Sequence, residues 1–154
     1  MPIEQRLSDL GVNLPEAAAP AANYVPFVRT GNQLFVSGQV PFLPDGSLHG
    51  PGKLGDTMDV EAGQTAAKMC AIGVLAQAKV ALNGDWTRLT RLVKIVGFVN
   101  ATLEFTDHPK VVNGASDFLV DVLGDQGKHA RSAVGVASLP FGVPVEVEAI
   151  FEIT

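Results

Sequence analysis

Gln33 to Gln39 is a short run rich in β-forming residues, and from Val145 to Ile153 one face (Val145, Val147, Ala149, Phe151 and Ile153) is wholly apolar while the other carries Glu146, Glu148 and Glu152. Such a partition marks a strand with one face against a core. The stretch 24–30 precedes the first of these across Gly31-Asn32, a pair suited to positive φ angles, so 24–39 reads as a hairpin with a two-residue turn. Its second strand closes on Ser37-Gly38-Gln39, and a glycine there marks a bulge or a place where a ligand can reach the backbone. Helical spacing then takes over. Ala62, Ala66, Met69, Gly73, Gln77 and Val80 form one stripe, widened by Cys70, Val74 and Ala81. This predicts a long helix capped by Asp56 or Asp59, running to about Leu82 and stopped by Asn83-Gly84. After a capped turn at Asp85, the stretch 89–101 carries Val93, Ile95, Gly97 and Val99 on one face. Its other face carries Leu92, Val96 and Phe98, and a strand apolar on both faces belongs in the middle of a sheet. A second helix starts at Thr106 or Asp107, tolerates Pro109 in its first turn, and keeps Val111, Ala115, Phe118 and Val122 on one side until Gly124. Residues 131–138 and 144–153 complete the pattern as two strands joined by a tight turn at 140–144.

The order ββαβαββ predicts an α+β domain, with both helices on one face of a mixed sheet. The other face then needs cover, and with no helix left to supply it a second subunit is expected there. Residues 24–154 are expected to form this single domain, preceded by an extension over 1–23. Within the extension, residues 2–11 read as a short helix with Ile3, Leu7 and Leu10 at helical spacing, ended by Gly11. Residues 12–23, with Pro15, Pro20 and five alanines, read as an extended connection along the surface.

Composition sharpens the picture. A chain of 154 residues fits one domain that buries roughly 70% of its unfolded surface, so neither disulfides nor metal are needed for folding. Apolar residues make up 47% and charged residues 18%, lean in charge for a small soluble domain; an oligomer that hides part of each subunit accounts for it. The net charge of −5 and pI near 5.0 argue against nucleic acid as partner, because affinity for phosphates comes from clustered Lys and Arg. Cys70 is the single cysteine and sits in a helical pattern, which points to core packing and fits a reducing compartment. No apolar run approaches the roughly 18 residues of a membrane span and the first residues show no apolar signal core, so the expectation is a soluble, cytoplasmic protein.

The best functional candidates lie near the C-terminus. In a strand over 131–138, Arg131 shares a face with Ala133, Gly135 and Ala137. A long cation followed by side chains too small to cover the backbone suits a pocket for a small anion, with guanidinium at one end and main-chain N–H groups along the floor. In the last strand Glu146, Glu148, Ile150 and Glu152 share the polar face. The alternatives are Arg131 as a structural ion-pair partner of Glu146 or Glu148, Glu146 as a solvated strand residue, and Tyr24 as a packing aromatic. His129 reads as a surface residue at a strand edge. A literal G-x-G-x-x-G occurs at 50–55, but it lies inside a long loop and carries Pro51, whereas a dinucleotide fingerprint must leave a strand and open a helix.

Several of these stretches together resemble the RidA/YjgF family of reactive-intermediate deaminases. The resemblance rests on Phe35-Val-Ser-Gly-Gln-Val-Pro41, Ala130-Arg-Ser, Val136-Ala-Ser-Leu-Pro140 and Val145-Glu-Val-Glu-Ala-Ile150, with Tyr24, Gln64 and Asn113, and runs from about Tyr24 to the C-terminus. It implies a chorismate-mutase-like fold, a homotrimer, and clefts between neighbouring subunits. It also implies hydrolysis of 2-imino or 2-enamino acids, released by pyridoxal-phosphate enzymes, to 2-oxo acids and ammonia, with no cofactor or metal. By position, Arg131 matches the family's carboxylate-binding arginine, Tyr24 its cleft tyrosine, Gly38 beside Ser37 its backbone donor, Asn113 a cleft asparagine, and Glu146 the glutamate that handles water. Ala133 stands where many members have cysteine, and Gly135 where many have glutamate, so a divergent subgroup is implied. A non-catalytic binder of small carboxylates is the second expectation. The endoribonuclease or translation-inhibitor activity attached to the family's name is a third, disfavoured by the acidic composition.

Overall fold

The computed structural model describes residues 1–20 and 22–154. Its elements follow the expected order, and the short helix expected within 2–11 stands in front of them: α1 (Ile3–Asp9), β1 (Phe27–Thr30), β2 (Gln33–Gln39), α2 (Val60–Ala81), β3 (Leu89–Asn100), α3 (His108–Leu123), β4 (Ala130–Val136) and β5 (Val145–Ile153). The five strands make one mixed sheet in the order β1-β2-β5-β3-β4. Both long helices pack on one face of it, and α2 also packs along α3.

Local chemistry explains the elements. Thr30 pairs with Gln33 across the hairpin, where Gly31 has φ 57° and Asn32 stays at negative φ. A single positive angle at the first turn residue is the II′ pattern, so Gly31 alone supplies what both residues were expected to share. Asp59 caps α2 by accepting from the Ala62 N–H at 2.8 Å. The buried stripe of α2 is rotated from the one read in the sequence: Ala67, Cys70, Ala71, Val74 and Ala78 are buried, while Val80 is 52% exposed. Because nearly every residue of this helix is small or apolar, sequence spacing alone fixes its face weakly. Gly114 lets α3 approach α2 closely, since a Cβ there would overlap the carbonyl of Gln64.

Two expectations about strands are corrected. The expected tight turn does not join paired strands: β3 lies between β4 and β5, parallel to the first and antiparallel to the second. The intervening residues 137–144 therefore cross the end of β3, passing through a single 3-10 turn at Pro140–Gly142 in which Phe141 has φ 59°. In β3 a register shift between Leu92 and Lys94 puts Leu92 in the core with Ile95 and Val99, and leaves Val93 on the open face. A bulge inverts the alternation, which a strict period of two cannot foresee.

The glycine-rich loop at 50–55 is structural, as expected. Lys53 donates through Nζ to Asn100 Oδ1 and to the Ala137 carbonyl, each at 2.7 Å, tying the loop to the end of β3. At the N-terminus Ile3 and Leu7 join the main core, whereas Leu10 is 41% exposed. Glu4 fixes the helix by pairing with Lys79 at 2.8 Å and accepting from Trp86 Nε1. Residues 12–20 run without regular structure, with Val12 and Leu14 against the core; Ala21, within the expected extended connection, lies outside the described residues. The sheet face away from the helices leaves Val28, Phe35, Val93 and Val134 exposed by about a third to a half. Among the described residues no helix is long and apolar enough to cross a membrane.

Candidate functional site

The site residues expected from the sequence fall into two groups on opposite faces of the sheet. On the helix side, Arg131 leaves β4 toward α3. Its Nη1 donates to Asn113 Oδ1 at 2.8 Å and to Ser116 Oγ at 3.2 Å, and its Nη2 donates to the Pro109 carbonyl at 3.2 Å. Three of the five N–H groups are thereby held by the first turns of α3. Those left over, on Nε and Nη2, belong to the adjacent nitrogens that grip a carboxylate side-on. Arg131 pairs with no carboxylate among the described residues, so the ion-pair alternative with Glu146 or Glu148 is not what the fold uses.

Ser116 and His129 extend this group, and sequence reading had missed the first and set aside the second. His129 Nε2 lies 3.0 Å from Ser116 Oγ, and its Nδ1 faces the Gly127 carbonyl. A ring N–H on Nδ1 leaves Nε2 to accept from Ser116, whose oxygen then accepts from Arg131. No sequence spacing announces such a chain, because its members come from β4, α3 and the turn between them.

The small-residue face expected beside Arg131 is only partly covered: Ala133 packs partly buried against the core, His108 fills the space into which a side chain at Gly135 would project, and Gly135 and Ala137 stay exposed. His108 is itself set edge-on to Phe105, with ring centroids 5.4 Å apart. Glycine at 135 and histidine at 108 are therefore a matched pair. Exposed main chain also runs along the outer edge of β4, where alternate N–H and C=O groups point away in the plane of the sheet.

The second group lies on the open face. Between Val36 and Gln39 the pairing of β2 with β5 slips, and the bulge presents Ser37 and Gly38 beside Glu146. A Cβ at Gly38 would stand 2.7 Å from Glu146 Oε2, so only glycine leaves the carboxylate its place. Ser37 donates from Oγ to the Val25 carbonyl at 3.3 Å. With Tyr24, these residues border a cavity of about 470 Å³. Phe42, Leu48, Pro140 and Phe141 also line it, none of them singled out by the sequence. The Glu146 carboxyl is pushed above its ordinary value, first by burial and second by the negative charge of Glu148. Burial likewise raises the Cys70 thiol well above its ordinary value, so this cysteine is packed and inert.

Arg131 is level with Ile95 and, beyond it, Ala149, three residues from Glu146. Two strand spacings and three residues put the two Cα atoms roughly 14 Å apart, on opposite faces. One chain does not bring its own arginine and glutamate together. Among the described residues no cluster of three or more His, Cys, Asp or Glu could hold a metal ion.

Comparison with known proteins adds an independent line. The family described as "YjgF/chorismate mutase-like, putative endoribonuclease" matches residues 4–148. The chain is 49% identical over 152 residues to protein TCP17 of Trypanosoma cruzi, covering 98% of this chain and 94% of that one. It is 34% identical over 143 residues to the 2-iminobutanoate/2-iminopropanoate deaminase of Escherichia coli K12, covering 90% and 91%. The fold superposes with a TM-score of 0.95 on a crystal structure from Shewanella oneidensis described as a "putative endoribonuclease", at 33% identity over 99% of this chain and 100% of that one.

Proposed function

The chain belongs to the YjgF/chorismate mutase-like family, and from that premise we propose that it hydrolyses 2-imino or 2-enamino acids to 2-oxo acids and ammonia in a cleft shared by two subunits of a homotrimer. The observation that carries this reading is the split site: a half-free guanidinium on one face near a sheet edge, and a partly buried carboxylate in an apolar cavity on the other. The two are complementary only if a neighbouring copy brings its Arg131 to this copy's cavity. The E. coli relative's activity on 2-iminobutanoate and 2-iminopropanoate supports the same chemistry.

In this mechanism the neighbour's Arg131 holds the substrate carboxylate through Nε and Nη2, while Asn113 and Ser116 keep the guanidinium plane in place. The substrate's 2-iminium carbon is already electrophilic. Glu146 accepts a proton from a water as its oxygen bonds to that carbon, and passes the proton to the nitrogen; it then takes the hydroxyl proton as the C–N bond breaks, leaving the 2-oxo acid, and the departing ammonia carries that proton away as ammonium. A carboxyl whose pKa is raised toward the working pH suits both steps, because base and acid strength are then balanced. Gly38, at the bulge, puts no side chain between the substrate and the glutamate.

The test is a coupled assay in which an amino-acid oxidase generates imines and semicarbazide traps those that escape hydrolysis. The protein should lower the trapped fraction, and Glu146→Gln should lose turnover by about 100-fold or more, the scale of removing a general base, while still binding a stable 2-oxo acid. Binding without turnover in the unaltered protein would identify a carboxylate-binding protein instead. An endoribonuclease reading has weaker support, since the net charge is −5.

A further inference from the structure

The cavity above Glu146 is closed on one side by a segment outside the hairpins and helices. Residues 15–20 cross from α1 toward Tyr24, and Ala18, Ala19 and Pro20 form part of the cavity wall. This strap is anchored by Gln77 of α2, a side chain only 1% exposed, whose Nε2 donates to the Ala18 carbonyl at 2.8 Å. A buried amide directed at one strap carbonyl fixes where the wall stands, because leaving either group unpaired is costly. Beneath the strap a separate cavity of about 220 Å³ lies between it and α2, sharing Ala18, Gln39 and Phe42 with the first. The strap is thus a thin partition whose cleft-facing side chains are nearly all methyl groups or proline.

Cavities of about 300–1,000 Å³ hold ligands of drug size, and this one measures about 470 Å³. With the carboxylate at its mouth and the imine carbon beside Glu146, the remaining space is bounded by Phe42, Leu48, Phe141 and the strap. A three- or four-carbon substrate would leave those groups uncovered, and Phe141 is 65% exposed in the single chain. We propose that the strap at 15–20 is the specificity wall of the cleft, and that the substrate is a 2-imino acid with a branched-aliphatic or aromatic side chain packed against Ala18, Ala19 and Phe141. This inference rests on the shared-cleft reading above but concerns the side chain and not the reaction.

Equilibrium binding of stable 2-oxo acids separates the two. In calorimetric titrations of the whole protein, 4-methyl-2-oxopentanoate and phenylpyruvate should bind at least about tenfold more tightly than pyruvate, since each added buried carbon contributes to affinity. Ala19→Phe, which fills the wall side of the cleft, should cut that ratio by about tenfold. If that variant fails to fold, Gln77→Leu, which removes the anchor without lining the cleft, should also shrink the ratio while the protein stays assembled. Pyruvate binding as tightly as the larger acids, no binding of any of the three to folded protein, or a ratio indifferent to both substitutions overturns the proposal. Tight binding of the large acids with no imine turnover leaves the wall standing and removes the deaminase reading. Imine turnover that favours the three- and four-carbon substrates does the reverse.

Discussion

Arg131 uses three of its N–H groups on α3, which leaves one hydrogen on Nε and one on Nη2 for the proposed carboxylate. Lysine in its place keeps the charge but loses both the fork and the hold of Asn113. Arg131→Lys should therefore weaken 2-oxo acid binding by about 1–3 kcal/mol, the scale of a charge-assisted hydrogen bond, and Arg131→Ala at least as much. Titration of both variants alongside their melting temperatures checks this; unchanged affinity in folded Arg131→Ala would remove the arginine from the site. Glu146 supports a different prediction, of stability. Its pKa is raised in the folded protein, so the stability it supplies is complete below the unfolded value of about 4.3 and is lost as pH rises through the folded value. At pH 7–8 the charged carboxylate is thus a burden that glutamine does not carry. Glu146→Gln should melt above the unaltered protein there, and the gap should close toward pH 4; a gap that widens on acidification contradicts the assignment.

At the scale of elements, the arginine's position depends on how closely α3 lies to the sheet and to α2. Gly97 admits the Val112 side chain, and Gly114 admits the backbone of α2 at Gln64. A methyl group at 114 meets a backbone carbonyl that no rotamer change can move. Gly114→Ala should cost about 3 kcal/mol, the upper end of the usual overpacking range, and lower the melting temperature by roughly 6–12 °C. Because α3 carries Asn113 and Ser116, carboxylate affinity should fall with it. A melting temperature within a degree of the unaltered protein would mean that the helices separate at no cost. The bulge in β2 acts on the other half-site: with Ser37 and Gly38 both set between Val36 and Gln39, the backbone is brought beside Glu146.

For the whole molecule, the open face with Val28, Phe35, Val93 and Val134 is the surface that the proposed trimer would cover. Light scattering should give three times the chain mass at micromolar concentration. A sharper check uses two inactive variants. If every cleft takes arginine from one chain and glutamate from another, Arg131→Ala and Glu146→Gln chains, unfolded and refolded together in equal amounts, should regain about a quarter of full activity, since one random pairing in four joins two intact halves. Activity that stays at the level of the separate variants would place both groups in one chain's own site.

The sequence by itself determined the element order, the hairpin turn at Gly31-Asn32 and the end of α3 at Gly124, and narrowed the cap of α2 to Asp56 or Asp59, because these depend on side chains and backbone angles within a few residues of each other. It also pointed to Tyr24, Ser37, Gly38, Asn113, Arg131 and Glu146, through motifs carried in short blocks. Only the tertiary structure decided that β3 separates β4 from β5, that Leu92 turns inward at a bulge, and that Arg131 and Glu146 stand on opposite faces. Strand partners and the face of a bulged strand are set by contacts between distant segments, to which local alternation is blind. The same holds for Ser116 and His129 behind the arginine, His108 over Gly135, and the Gln77-anchored strap: each contact joins residues that no local period relates, so it exists only once the chain has closed around its core.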